Sequence, residues 1–168
     1  MLGSSAASLV QARTELGAVL AAATPDEAPL KVAAELFALV DALDADKALA
    51  RALTNPNRSA APKRALVRGA MAGHMPAATE LVATVAAARW SREGDLADAL
   101  EQLGFDAAIA AARSDQGLRR TEEELFGVDV VLRGSRPLRT ALADAVAPPA
   151  ARAKLARDVF GDAVGPVT

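Results

Sequence analysis

Apolar residues recur at helical spacing in the first part of the chain. Leu9, Leu16 and Leu20 lie on one stripe of a first predicted helix, at about residues 4–22. After a Pro-containing break in which Asp26 is a predicted cap, a second stripe follows at i, i+4, i+8 and i+11. It consists of Val32, Leu36, Val40 and Leu43. These patterns predict two amphipathic helices that each bury one face.

Turn and capping residues divide the next part of the chain into four further predicted helices. Residues 44–46 supply a cap for a short third helix, and Ser59 is a candidate cap for a fourth, which Gly73 closes. Pro76 opens the fifth helix. The sixth covers about residues 91–113. Six helices are therefore predicted before the turn at 114–117, which contains Gly117.

The pattern of residues 35–79 occurs a second time at residues 124–168, without a gap and at a constant offset of 89. The positions that repeat pair Leu36 with Leu125, Phe37 with Phe126, Leu49 with Leu138, Leu53 with Leu142, Lys63 with Arg152, Leu66 with Leu155, Arg68 with Arg157 and Thr79 with Thr168. Apolar positions are the same in the two copies, whereas the residues between them differ, and this is typical of a duplicated structural unit. We therefore expect the two Leu-Phe pairs to occupy equivalent core positions.

The helices and the repeat together predict an all-α fold. We expect a six-helix N-terminal bundle at 1–113 and a partial duplicated unit at 114–168, with a helix at about 90–113 shared between them. The second copy reaches only the start of a fifth helix, at 165–168. Since it has fewer helices with which to bury its apolar face, we expect it to be the less stable unit.

Composition narrows the functional classes. Aromatic residues make up 3% of the chain and Tyr is absent, which leaves little material for a sheet. A net charge of −2 argues against nucleic acid as a partner. The absence of Cys excludes disulfides and thiolate sites and suits a reducing compartment. An apolar run of the ~20 residues needed to span a membrane is not found in the sequence.

Candidate chemistry is sparse. His74 is the single histidine and is interpreted as a solvated loop residue, because a metal site would need further His or Cys ligands. The acidic run at 122–124 is interpreted as a solvated face near a helix start, favoured there by the helix dipole. Glycine-rich phosphate motifs are absent. The sequence thus predicts a protein with no catalytic, cofactor or metal site.

Trp90 is the single tryptophan and lies at the predicted joint between the fifth and sixth helices. Two interpretations remain open. Trp90 is either a packing residue at a helix junction or an interface anchor, a role in which Trp is over-represented.

The chain resembles the delta subunit of bacterial F-type ATP synthase, in the longer actinobacterial form whose helical N-terminal bundle is followed by a duplicated helical segment. The residues that carry the resemblance are Glu35-Leu36-Phe37, the Arg89-Trp90-Ser91 junction with Asp95-Leu96 and residues 98–101, the run Glu123-Glu124-Leu125-Phe126, and the closing residues 165–168. It covers nearly the whole chain, and the order and spacing of the motifs are more specific than any one of them.

The resemblance implies a non-catalytic stator subunit that requires no cofactor. Its partners would be the N-terminal helix of the synthase alpha subunit and the b subunit of the peripheral stalk, with the membrane reached only indirectly, at the cytoplasmic face of the bacterial plasma membrane. It also implies a groove between the first and fifth helices for the alpha helix, with small residues such as Ala88 allowing close approach. The residues expected there are Leu9, Ala12, Leu16, Leu20, Ala78, Leu81, Val82, Val85 and Trp90, of which about half should touch the partner.

Two departures from the family pattern bear on this interpretation. Some relatives are fused behind a membrane-anchored stalk segment, whereas Met1 here leads directly into the first helix, as in the unfused form. Family members also continue into a C-terminal α/β region that contacts the stalk, so b-subunit binding is expected outside these residues. Two other classes stay open: a stand-alone helical adaptor with a different ligand, and a small-molecule-binding bundle, which would need convergent polar groups.

Overall fold

The computed structural model describes residues 3–23, 28–114 and 117–168 and places nine α-helices in them. The helices are α1 (Ser4–Ala22), α2 (Pro29–Ala45), α3 (Lys47–Thr54), α4 (Ala60–Ala70), α5 (Pro76–Ala87), α6 (Glu93–Ser114), α7 (Leu118–Gly134), α8 (Arg136–Ala143) and α9 (Pro149–Phe160). The described residues contain no strand, so the all-α prediction is confirmed.

Helix caps account for several of these boundaries. Asp46 caps α3, since its Oδ1 accepts hydrogen bonds from the backbone N–H groups of Ala48 at 2.9 Å and Leu49 at 3.0 Å. Ser59 lies at the N-cap of α4 as predicted, but the described structure gives its side chain no capping hydrogen bond. One reason is that Pro62, at the N3 position, has no N–H to donate. The predicted Asp26 cap lies outside the described residues.

The residues that follow α4 and α7 account for the ends of these helices. Helix α4 ends at Ala70, and Gly73 lies in the turn that follows, with a φ of 90° that favours glycine. Helix α7 ends at Gly134. Ser135 then begins α8, because its Oγ accepts a hydrogen bond from the Leu138 N–H at 3.4 Å.

The chain divides into two compact units, with the boundary between Ala111 and Ala112 inside α6. Unit 1 has an extensive apolar core to which α1 to α6 all contribute. Helix α5 is central to it, since α5 packs against α1, α2, α3 and α4. The buried positions of α5 are Ala78, Leu81, Val82, Ala83, Val85 and Ala86. The alanines among these positions let the four neighbouring helices approach α5 closely.

Unit 2 comprises the residues from Ala112 onward, including α7, α8 and α9, which pack consecutively. Among the described residues of these three helices, none is fully buried. Leu36 is 0% exposed in unit 1, whereas its repeat partner Leu125 is 51% exposed and Phe126 is 70% exposed. The expectation that both Leu-Phe pairs are core residues was therefore wrong for the second pair, because the described part of unit 2 provides no helix that covers them.

Candidate functional site

The residues predicted to bind a partner lie mostly inside unit 1. Leu20 is half-buried, and the other eight predicted residues are buried. Those eight are Leu9, Ala12, Leu16, Ala78, Leu81, Val82, Val85 and Trp90. Their side chains pack mainly against the bundle itself, since the apolar stripes of α1 and α5 face each other and their neighbours. A partner could therefore contact α1 and α5 only where a cleft between these helices opens to the surface.

Such a cleft is present on unit 1, between α1, α4 and α5, with a volume of about 210 Å³. Its lining residues are Ser8, Gln11, Ala12, Glu15, Ala60, Arg64, Thr84, Val85, Ala87 and Ala88. We call it the α1/α5 groove. Ala12 and Val85 come from the predicted set, and Ala88 is one of the small residues singled out in the sequence. Four alanines in the lining leave room for the backbone of another helix to approach closely.

Polar side chains also line the α1/α5 groove. Gln11 and Glu15 come from α1, and Arg64 comes from α4. A groove with an Ala-rich surface and both charge signs suits a helix that is apolar on one face and polar at its edges.

Sequence reasoning missed most of this lining. On α1, Ser8, Gln11 and Glu15 recur at helical spacing beside the apolar stripe, and this periodicity could have identified them as lining residues. Ala60 and Arg64 could not be found in this way. They line the groove because α4 packs against α5, and that packing is a tertiary fact.

The junction between α5 and α6 is fastened to the start of α1 by a small polar cluster. Ser5 Oγ donates a hydrogen bond to Asp95 Oδ2 at 2.7 Å and accepts one from the Ser91 N–H at 2.8 Å. Arg92 approaches the other carboxylate oxygen of Asp95 at 2.9 Å. The Ser5 hydrogen bond, followed by that of Arg92, holds the pKa of Asp95 below its ordinary value, although burial opposes this. The cluster thus fixes the position of α1, one wall of the groove.

Trp90 lies next to this cluster and is 4% exposed. Its indole Nε1–H donates a hydrogen bond to the backbone oxygen of Val85 at 3.0 Å. Ser8 Oγ donates to the backbone oxygen of Arg89 at 2.8 Å, which adds a second tie between α1 and the junction. The burial and the satisfied N–H favour the interpretation of Trp90 as a packing residue.

The two polar features interpreted as solvated have structural partners. His74 Nδ1 lies 2.5 Å from Glu35 Oε2, and the two side chains are 41% and 23% exposed. The acidic run at 122–124 begins in the second turn of α7, since the helix starts at Leu118. Its last member, Glu124, accepts hydrogen bonds from the Gly165 N–H at 2.7 Å, Thr168 Oγ1 at 2.6 Å and Arg120 Nε at 2.6 Å. His74 is thus an exposed loop residue as predicted, but it also pairs with Glu35, and Glu122 and Glu123 are exposed as predicted. Glu124 differs, since its side chain is 12% exposed and holds the residues near 165–168.

The described residues contain no group of three or more His, Cys, Asp or Glu side chains placed to hold a metal ion. None of the helices in the described part of the chain is long and apolar enough to cross a membrane. The fold and the surface features thus define an all-helical bundle protein with an open groove on unit 1.

Comparison with known proteins identifies its relatives. The chain is 41% identical to the ATP synthase subunit delta of Beutenbergia cavernae over 169 residues, which is 100% of this chain and 62% of that protein. It is 40% identical to the subunit delta of Kineococcus radiotolerans, covering 99% of this chain and 60% of the relative. For Acidothermus cellulolyticus the identity is 35% over 100% of this chain and 62% of the relative.

The chain is thus a homologue of ATP synthase delta subunits along nearly its entire sequence, and the resemblance drawn from its motifs is confirmed. It spans about 62% of the length of the first of these relatives. No model of a protein family matches the chain.

Proposed function

We propose that the chain is part of a non-catalytic stator subunit of an F-type ATP synthase, and that unit 1 holds the N-terminal helix of an alpha subunit in the α1/α5 groove. The observation that carries the proposal is the homology to ATP synthase delta subunits over nearly all of this chain. The Ala-rich groove between the two helices expected to bind the partner supports it.

The mechanical role needs stiffness rather than chemistry. A stator element must hold the catalytic head against the torque of the rotor, so its contacts must not yield when loaded. Unit 1 suits this task, because α5 is surrounded by four helices and the Ser5–Asp95–Ser91 cluster fastens α1 to the α5–α6 junction. A bound helix would then rest against walls that cannot separate without disrupting the core.

The same proposal covers the remaining partners. The assembly would lie at the cytoplasmic face of the bacterial plasma membrane, reached through the other subunits. We expect the b subunit of the peripheral stalk to bind the part of the delta-subunit relatives that this chain does not span. The residues of unit 1 are assigned only to the alpha helix.

Calorimetric titration with a peptide of the alpha N-terminus from the same organism tests the groove. We expect saturable binding with a negative heat-capacity change and weak dependence on salt, because most of the buried contact is apolar. The blocking variant is Ala60→Trp, which places a large ring at an exposed position that lines the groove. The matched control is Ala61→Trp, an equally exposed neighbour on α4 that is not part of the lining.

Loss of binding in Ala60→Trp with retention in Ala61→Trp supports the groove assignment. Binding that is equal in the two variants, with both proteins folded by circular dichroism, rejects the groove. If the intact chain does not bind the peptide at all, the assigned ligand is wrong and the alternative of a helical adaptor for another ligand gains support.

A further inference from the structure

Unit 2 carries a groove that is larger and more apolar than the α1/α5 groove of unit 1. It has a volume of about 580 Å³ and is formed by α7, α8 and α9 with the residues that follow them. The apolar side chains that α7, α8 and α9 contribute to it are Leu125, Val128, Leu132, Leu142, Ala156 and Phe160. We call it the unit 2 groove. A concave surface of this kind on a small three-helix unit costs stability unless another element covers it.

The repeat in the sequence shows what each of these residues corresponds to in unit 1. At the offset of 89 residues the six positions fall on Leu36, Leu39, Leu43, Leu53, Val67 and Met71. All six are buried in the core of unit 1. The unit 2 groove is therefore the second copy of a surface that is covered by other helices in unit 1.

In unit 1, α5 is the helix that packs against all three of the helices carrying these residues. The residues of the first copy lie on α2, α3 and α4 or directly after them, and α5 packs against all three helices. It does so with a stripe of apolar side chains at i, i+3, i+4 and i+7, namely Ala78, Leu81, Val82 and Val85. In unit 2, α7 packs on α8 and α8 on α9, as α2 packs on α3 and α3 on α4. The described residues of unit 2 include no counterpart of α5.

Equivalent glutamates, Glu35 and Glu124, contact the residues at or just before the start of α5 in unit 1 and the corresponding residues in unit 2. In unit 1, Glu35 pairs with His74, two residues before Pro76 begins α5. In unit 2 the equivalent Glu124 accepts hydrogen bonds from Gly165 and Thr168, the counterparts of Pro76 and Thr79. The Thr168 N–H also bonds to the Gly165 oxygen at 3.2 Å, which closes a turn. Unit 2 thus fixes the backbone where a fifth helix starts in unit 1.

We propose that the unit 2 groove binds a partner helix with the apolar stripe of α5, that is, Ala, Leu or Val at i, i+3, i+4 and i+7 and polar residues elsewhere. The helix lies across α7, α8 and α9 in the register that α5 takes across α2, α3 and α4. Leu125, Leu132 and Phe160 then become buried as their counterparts are.

The direct test adds a synthetic α5 peptide, residues 75–88, to the intact chain and follows the backbone amide signals by NMR. We expect saturable one-to-one binding with shift changes concentrated in α7, α8 and α9. The variant Leu125→Asp should weaken binding roughly tenfold or more, because burying one leucine contributes about 1.5–3 kcal/mol.

Val130→Asp is the matched control. Val130 is 52% exposed and lies on the same helix as Leu125, at 51%, but does not line the groove. We expect its affinity to stay within about twofold of the parent, as surface changes away from a contact usually do. A peptide carrying Leu81→Asp should not bind.

A second measurement covers the case of weak binding in solution. A copy of residues 80–90 is joined after Thr168, which continues the repeat in register. Hydrogen exchange of α7 amides should slow in this chimera and remain unchanged when the copy carries Val82→Asp.

Three outcomes overturn the proposal. The first is a chimera whose α7 exchanges as fast as that of the parent. The second is peptide binding that Leu125→Asp and Val130→Asp weaken equally. The third is a concentration-dependent dimer in which the same residues become protected without peptide, since the occupant would then be a second copy of the chain.

Discussion

The two units share one sequence pattern but differ in what covers it. In unit 1 Leu36 and Leu53 are buried in a core to which six helices contribute, whereas in unit 2 their counterparts Leu125 and Leu142 line an open groove. The difference shows that an amphipathic stripe specifies a face to be buried and not the element that buries it. Stability should therefore differ between equivalent positions, which the first of the following comparisons measures directly.

The largest contrast is expected between Leu36→Ala and Leu125→Ala. Leu36 is 0% exposed, so removing its side chain leaves a cavity and should cost about 2–5 kcal/mol. Leu125 is half exposed, and its truncation should cost less than about 1 kcal/mol. Hydrogen exchange of the slowest amides in each unit measures both values separately. Equal losses at the two sites would contradict the contrast.

A buried polar anchor gives the next effect. Asp95→Ala removes the acceptor of the Ser5 hydroxyl and the partner of Arg92, and should cost roughly 2–3 kcal/mol because a buried hydrogen bond to a charged group is lost. Asp98→Ala, at an exposed position on the same helix, should change stability by less than about 0.5 kcal/mol. Thermal unfolding followed by far-UV circular dichroism compares the two. Similar shifts in both variants would show that the Ser5–Asp95–Ser91 cluster does not fasten α1.

Two helical glycines should respond with opposite signs. A Cβ at Gly104 would meet the ring of Phe37 at 2.8 Å, and that ring packs edge-on against Phe105 with centroids 5.2 Å apart. Gly104→Ala should therefore destabilise unit 1, since overpacking costs about 1–3 kcal/mol and the gain in helix propensity is only about 0.5–1 kcal/mol.

At Gly127 in α7 an added Cβ meets no atom of the described structure within 4 Å. Gly127→Ala should stabilise unit 2 by about 0.5–1 kcal/mol through helix propensity alone. Amide exchange in α6 and α7 measures both changes. The same sign at both sites would mean that Phe37 moves away freely.

The smallest expected effect is the loss of the stabilising hydrogen bonds of Glu124 at low pH. Hydrogen bonds from Thr168, Gly165 and Arg120, in that order of influence, lower the pKa of Glu124 from 4.5 to about 2. Because the folded pKa is depressed, its contribution is fully present above pH 4.5 and is lost as the pH falls toward 2. The Gly165 amide should become more exchange-prone over that range, as seen by NMR.

Glu124→Gln should abolish this acid dependence, because the side chain no longer titrates. The control is Glu123→Gln, whose carboxylate is 66% exposed and pairs only loosely with Arg119, at 3.4 Å. A profile that stays the same in Glu124→Gln would assign the acid dependence to another group.

Trp90 offers a check that does not depend on any substitution. Its burial predicts a blue-shifted fluorescence emission that the alpha peptide leaves unchanged. A solvent-like emission that shifts when the peptide is added would restore the interpretation of Trp90 as an interface anchor.

The sequence by itself determined the helical elements, the repeat and the resemblance to delta subunits. Stripes such as Val32, Leu36 and Leu43, and caps such as Asp46, are local features, because helix formation depends on residues within one or two turns. The order of the motifs was sufficient for the resemblance to delta subunits, which the relatives confirm. Periodicity could not show which of two similar stripes would be covered by other helices.

Only the tertiary structure decided where the binding surfaces lie. Burial depends on neighbours distant in the sequence, so eight of the nine predicted contact residues became core, and Arg64 of α4 came to line the α1/α5 groove. Likewise, Glu124 and His74 acquired their roles from partners 41 and 39 residues away. Leu36 and Leu125 carry the same side chain on the same helical stripe, and the helices packed around each of them decide which one is core and which one lines a groove.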